Sequence, residues 1–181
     1  LYTLAILLAI TTFGTAALYQ YLIGIIGATI AATIMTVIAS FLFVAVATYI
    51  VGLVGSSNSP VSGMTICALL MTAGVLMAMG ITGDSAILAT LGVAGVVCCA
   101  ACTAGDIAQD LKTGQLVGAT PRRQQWMEVI GVVIPAFVFA PVMTLLHQAE
   151  GIGVGLLAPQ ASMFASIAGG FFGDGGLPWN M

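Results

Sequence analysis

The sequence predicts an all-α fold, a polytopic transmembrane helix bundle with about five spanning helices. Three observations carry that expectation. Of the 181 residues, 60% are hydrophobic and 5% are charged, whereas a soluble domain carries roughly 25% charged residues to solvate its surface. The mean hydropathy is +1.17. The first 83 residues hold no formal charge, and about 20 apolar residues of helix cross a hydrocarbon core, so that run alone has room for three spans. Lipid is the solvent that makes this composition sensible, because a helix satisfies its own backbone there.

The elements follow from charge-free runs and helix breakers. The first helix is expected over about 3–19 and the second over about 24–54, long enough to tilt. A polar interruption at 55–59 precedes the third, over about 60–81. The uncharged runs 85–105 and 129–149 are 21 residues each, and they place the fourth helix at about 85–104 and the fifth at about 121–148. The run after it contains Gly151, Gly153, Gly155, Pro159, Gly169, Gly170 and Gly173; such a density of breakers predicts an outer loop with a short helix over 149–181. The whole is read as one transmembrane bundle segment, 1–181. Tyr19, Tyr21 and Trp126 fall near predicted helix ends, where amphipathic rings prefer the interface. Small residues recur at helical spacing in Gly24/Ala28, Gly74/Ala78, Gly92/Val96, Gly95/Cys99 and Ala100/Ala104, a pattern that lets helices pack closely in lipid.

Lys112, Arg122 and Arg123 are the only basic residues. All lie between the fourth and fifth helices, so the positive-inside rule puts the loop 105–125 in the cytoplasm. The break at 55–59 is then cytoplasmic-side, and the tail after His147 faces outward. The chain opens on Leu1 without a basic n-region or cleavage site, and it is expected to be an internal piece of a longer protein. Cys67, Cys98, Cys99 and Cys102 lie in apolar runs without paired CxxC motifs; they read as packing residues. No metal site, cofactor or nucleic-acid partner is expected. Neither GxxxxGK[ST] nor HExxH occurs, and no enzymatic role is expected.

Two polar stretches interrupt the apolar background. In the first, Gly55-Ser56-Ser57-Asn58-Ser59-Pro60-Val61-Ser62-Gly63-Met64-Thr65, Pro60 suits a first helical turn with Ser59 as N-cap. It reads either as an interfacial loop capping the third helix, or as a break at membrane depth whose unwound backbone faces a cavity. The second, 105–125, holds five of the nine charges. Asp106 and Asp110 share a face at i, i+4 if the helix continues, and Thr120-Pro121 reads as an N-cap and N1. Arg122 and Arg123 then oppose the helix dipole. They are explained either by lipid phosphates and topology, or by an anionic substrate or the nearby Asp106 and Asp110. Pro135 and Pro141 should kink the fifth helix. Glu128, one turn into it, is an ionisable group within a span. His147 reads as solvated or as a sensor of external protons.

Together the two stretches resemble the SSNxPxSGMT and GDxxQDLKTGxLVGATPRxQQ signatures of the oligopeptide transporter family, closest to its prokaryotic branch. Ala158-Pro159-Gln160-Ala161 and Leu177-Pro178-Trp179 are similar to further family landmarks. The resemblance covers about 50–181; residues 1–49 share apolar character only. It implies a secondary active transporter of 12 to 16 helices in two related halves, of which this chain is part of the second. It further implies proton-coupled uptake of small peptides or metal chelates across a bacterial inner membrane, with the transporter's remaining helices as partners. Polarity within the motifs makes Asn58, Ser59, Pro60, Ser62, Gly63, Thr65, Gln109 and Lys112 candidates for binding substrate, and Asp106, Asp110 and Glu128 candidates for carrying the proton. A passive channel or membrane scaffold is the alternative.

Overall fold

The computed structural model describes residues 2–173, apart from the side chains of Thr3 and Leu4. The landmark Leu177-Pro178-Trp179 lies outside the described residues. The described chain forms six α-helices: α1 Tyr2–Ile23, α2 Ile26–Val54, α3 Val61–Ala78, α4 Asp84–Val117, α5 Pro121–Glu150 and α6 Pro159–Phe172. The first five are long and apolar enough to cross a membrane. Much of α2 is β-branched (Ile, Val and Thr), a composition with modest helix propensity in water. In hydrocarbon an unbonded peptide group costs several kcal/mol, about ten times that preference, so the helix forms regardless.

α4 is the central post, packed against α1, α2, α3, α5 and α6. Its facing side is built from small residues: Ala86, Ala89, Val93, Ala94, Val97 and Ala101 are buried against Ala28, Ala32, Ala39 and Ala47 of α2 and Ala68 and Ala73 of α3. Between helices in lipid there is little hydrophobic gain, so close van der Waals approach holds them. The approach is tight at two glycines: a Cβ on Gly105 would lie 3.0 Å from Val51 Cγ2, and one on Gly92 3.1 Å from Tyr19 Cε1. Gly74, Ala78, Gly95 and Cys99, predicted as parts of small faces, are exposed to the outside of the described bundle or half so. Of the five predicted small pairs, those containing Ala28 and Gly92 thus meet a neighbouring helix directly.

The structure corrects the sequence expectation at four places. α4 does not stop near 104; it runs through the charged stretch to Val117, 34 residues in all. That is ~51 Å at 1.5 Å per residue, well beyond a ~30 Å core. Asp106, Gln109, Asp110 and Lys112 are therefore helical, and the expected loop 105–125 shrinks to a turn at 118–120. Gly118 ends α4 in the left-handed region at φ 76°, and the Ala119 amide donates to the Gly114 carbonyl at 2.8 Å, the bond of a Schellman cap. Tyr19 does not present its ring to the outside of the bundle. It is 1% exposed, and its hydroxyl donates to Thr36 Oγ1 at 2.8 Å, while Thr36 donates to the Ala32 carbonyl. α3 begins after Pro60, which holds the N-cap position itself; Ser59 makes no cap. Finally, the short helix expected in the tail is not an isolated loop element. α6 docks on α3 and α4, with Ala168 and Phe172 buried.

Candidate functional site

The polar stretch after α2 is a break held by its own backbone and by two glutamines from elsewhere in the chain. Gly55 turns the chain out of α2 at φ 87°, a region that favours glycine, and its amide still reaches the Val51 carbonyl. A single 3₁₀ turn, Ser56–Asn58, follows. Asn58 Nδ2 donates to the Val54 carbonyl at 3.3 Å, one of the acceptors left open at the end of α2. The backbone of the break then folds onto itself, with the Ser59 amide on the Ser56 carbonyl at 3.2 Å and the Val61 amide on the Ser59 carbonyl at 2.9 Å.

Gln109, on the charged part of α4, accepts the Ser56 amide through Oε1 at 2.8 Å. Gln160, at the start of α6, donates through Nε2 to Ser62 Oγ at 3.4 Å. Three stretches far apart in sequence thus meet at one end of the bundle, where α2 stops and α3 begins. The amides of Ser62 and Gly63, in the first turn of α3, have no intrahelical carbonyl to bond, and the dipole there favours an anionic group. Asn58, Pro60, Ser62 and Gly63 are exposed around the break, and Ser59 is half-buried. Ser59 Oγ is buried without a partner. Thr65 behaves differently: it is buried, and its hydroxyl donates to the Val61 carbonyl of its own helix at 2.8 Å.

The other candidates lie past the break, where α5 folds back on α4. Lys112 donates to Gln115 Oε1 at 3.0 Å, and both line an open cleft of about 450 Å³ with Leu111, Pro121 and Gln125. Asp106 and Asp110 are exposed on α4. Thr120 is the N-cap of α5 and Pro121 its first residue, as the sequence suggests, but the Thr120 side chain makes no cap bond; its carbonyl accepts the Arg123 and Gln124 amides. Gln124 donates through Nε2 to the Asp110 carbonyl at 2.9 Å, and its carboxamide lies where a Cβ on Gly114 would be. Glu128 is half-buried. At the far end of α5, His147 Nδ1 accepts the Ile152 amide at 3.3 Å, so the ring helps to close the helix. A second, larger cleft of about 620 Å³ opens between α1, α2 and α4. It is walled by apolar groups and by hydroxyls such as Thr11 and Thr12, which bond their own helix carbonyls.

Two of the residues that organise this end, Gln124 and Gln160, were named in the sequence only as motif letters. A glutamine in an apolar run marks polarity; which backbone group it meets depends on the neighbouring helix. Among the described residues, no group of three or more His, Cys, Asp or Glu side chains is disposed to hold a metal ion.

A bundle of long apolar helices packed through small residues, with a polar connection whose backbone and side chains are bonded by distant glutamines, is that of an integral membrane protein. The profile of the family described as OPT oligopeptide transporter protein matches residues 1–181. The chain belongs to that family, and the match includes the apolar first 49 residues. It is 42% identical to a Haemophilus influenzae protein named as an oligopeptide transporter, over 46% of this chain and 15% of that protein. Two proteins of Oryza sativa subsp. japonica named as metal-nicotianamine transporters are 37% and 31% identical, over 45% and 47% of this chain and 12% of each relative. The chain thus covers a small part of each relative it matches. No solved structure matches it.

Proposed function

We propose that this chain is part of a proton-coupled secondary transporter that takes up small peptides or metal chelates, with the 55–65 break on the substrate path. The single observation that carries this reading is the meeting of the break with Gln109 and Gln160 at one end of an otherwise apolar bundle. Irregular backbone persists in a membrane protein where protein or a water-filled cavity covers it, and interrupted helices are where transporters bind their substrates. The names of the relatives, one for oligopeptides and two for metal-nicotianamine, agree with a zwitterionic or anionic substrate. The first amides of α3 suit its carboxylate, Asn58, Ser59 and Ser62 offer hydroxyl and carboxamide groups, and Pro60 and Gly63 shape the turn. Thr65 supports the first turn of α3 from within. Gln109 and Lys112 flank the break from α4. Asp106, Asp110 and Glu128 are the groups able to carry a proton.

The transport cycle would rock this bundle against the transporter's remaining helices, with the α4–α5 corner in the cytoplasm of a bacterial inner membrane. The test is uptake of trialanine and of nickel–nicotianamine by the full-length transporter in proteoliposomes. One proton per substrate and one pH unit of inward gradient should drive about tenfold accumulation, since ~1.4 kcal/mol is a factor of ten. Flux that never exceeds equilibrium would mark a passive channel instead. Gln109→Leu should lower uptake severalfold, because it removes the side chain that holds the Ser56 amide, a bond worth about 0.5–1.5 kcal/mol. Unchanged uptake in that variant would remove the break from the path.

A further inference from the structure

The break at 55–65 is held from two sides, and the two holds differ in strength. On the α4 side, Gln109 Oε1 accepts the Ser56 amide at 2.8 Å. Gly105 also brings the α4 backbone against Val51, where an added Cβ would lie 3.0 Å from Cγ2. On the α6 side, Gln160 Nε2 donates to Ser62 Oγ at 3.4 Å. N–H···O bonds cluster at about 2.9–3.0 Å and weaken with length, so the α6 hold is the looser one. Among the described residues it is also the one hydrogen bond that joins α6 to another element.

The anchor of α6 lies at its other end. Its buried residues are Ala168 and Phe172, and Phe172 belongs to the same apolar core as Ala68 and Ala73 of α3 and Ala89, Val93 and Val97 of α4. The connection that leads into α6 does not fasten its start. The Val154, Gly155 and Leu156 amides all donate to the Gly151 carbonyl, and the Gly153 amide donates to the Leu156 carbonyl at 2.8 Å. The Ile152 amide donates to His147 Nδ1. These bonds close the turn on itself and on the end of α5, and none of them reaches α3 or α4. α6 is therefore a lever of 14 residues, ~21 Å long at 1.5 Å per residue. It is fixed in the core at one end and latched to the break at the other. A rotation of about 15° about the fixed end carries Gln160 about 5 Å, given ~18 Å of helix between 160 and 172. That is enough to part it from Ser62.

We propose that α6 is a gate on the 55–65 break, with the Gln160–Ser62 bond as its latch. Closed, as in this structure, it stands at the first turn of α3, whose Ser62 and Gly63 amides have no intrahelical partner. Open, the start of α6 withdraws from Ser62 and frees that side of the break, while Gln109 keeps the backbone of the break in shape from α4. The bond lengths divide the two tasks: the side that keeps its geometry has the short bond, and the side that moves has the long one. Opening gives up a single long hydrogen bond, whose donor and acceptor water can take over. This rests on the transporter reading above and deepens it, because a site on a substrate path needs an element that opens and closes it.

The experiment uses the full-length transporter, lacking other reactive thiols, with radiolabelled trialanine and nickel–nicotianamine as probes. Ser62→Cys combined with Gln160→Cys is bridged by a short bis-methanethiosulfonate, which holds α6 shut and is removed by dithiothreitol. Bridged before substrate is added, the double variant should bind about tenfold less than after reduction. Bridged with substrate in place, it should release that substrate about tenfold more slowly, as ~1.4 kcal/mol of added barrier would require. Trapping separates a gate from a blocked site: the reagent on either single-cysteine variant hinders entry without retaining what is bound. Gln160→Leu removes the latch and should release bound substrate about two- to tenfold faster than wild type, the factor that one ordinary hydrogen bond carries. The gate is overturned if the bridged protein binds and releases substrate as the reduced protein does. It is also overturned if the two introduced cysteines react singly but are not bridged, or if Gln160→Leu releases substrate at the wild-type rate. Should the double variant bind nothing even after reduction, the release rate of Gln160→Leu decides alone. Wild-type protein that neither binds nor takes up either probe would defeat the functional reading, and the gate with it. Wild type that transports, beside a bridged variant that transports equally, defeats the gate only.

Discussion

Gly92 and Tyr19 illustrate how single side chains set the spacing of the helices. The Tyr19 ring occupies the space that any side chain at 92 would need. Gly92→Leu should therefore overpack the α1–α4 contact and cost about 1–3 kcal/mol, read as a lower unfolding temperature of the full-length protein in detergent. Tyr19→Phe keeps the ring but removes the donor to Thr36. Hydrogen bonds between membrane helices average ~0.6 and reach ~1.7 kcal/mol, so a loss in that range is expected. An unchanged unfolding temperature in both variants would mean that α1 is not held at this point. The same residue logic explains why Ser85 is polar at the start of α4. Its hydroxyl donates to the Ile23 carbonyl at 3.4 Å, one of the acceptors that the end of α1 leaves open.

Among the elements, α4 and α5 are opposites. α4 is buried along one side by alanine and valine and positions everything else; α5 presents apolar side chains in every direction. Phe137, Phe139 and Val138 are among its exposed residues, and a helix that is apolar all round is covered by lipid or by other helices. Because the chain covers only a small share of its relatives' length, α5 should meet helices from outside this segment. Cysteines introduced singly at 137 and 139 in a full-length transporter lacking other reactive thiols should cross-link, under mild oxidation, to partners placed beyond residues 1–181. Cross-links confined to α4 would contradict this. Pro135 and Pro141 are accommodated within a continuous α5. Each still removes a backbone hydrogen bond, which leaves this helix the most easily bent of the six.

For the molecule as a whole, the three basic side chains gather at the α4–α5 corner. If that corner is cytoplasmic, a cysteine at Ala119 should react with a membrane-impermeant maleimide in inside-out vesicles and resist it in intact cells. The opposite pattern would invert the bundle. Gln160 adds a constraint that no hydropathy profile contains. α6 starts beside Ser62, so the chain after α5 returns to the end of the bundle where the break lies. Eight residues link α5 to α6, a span of at most ~29 Å at 3.6 Å per residue. An outer loop simply continuing from His147 does not describe that return; the tail re-enters the bundle and closes one side of the break.

The sequence by itself determined the solvent and the class of element. These depend on composition and on runs of about 20 residues, and in lipid the backbone has no alternative to the helix. It also marked both polar motifs, since polarity in an apolar chain is conspicuous wherever it falls. The end of α4 expected at 104 falls 13 residues short of Val117, because charge does not stop a helix that has water around its charged side chains. Which polar group meets which was decided by the tertiary structure alone: Gln109 on the Ser56 amide, Gln160 on Ser62, Tyr19 on Thr36, and Gln124 on the Asp110 carbonyl. Hydrogen bonds between helices depend on how two faces are turned toward each other, and in an all-apolar bundle the periodicity that would reveal those faces is absent. The break at 55–60 could be read from the sequence as polar; only the packing of α4 and α6 against it shows what holds it.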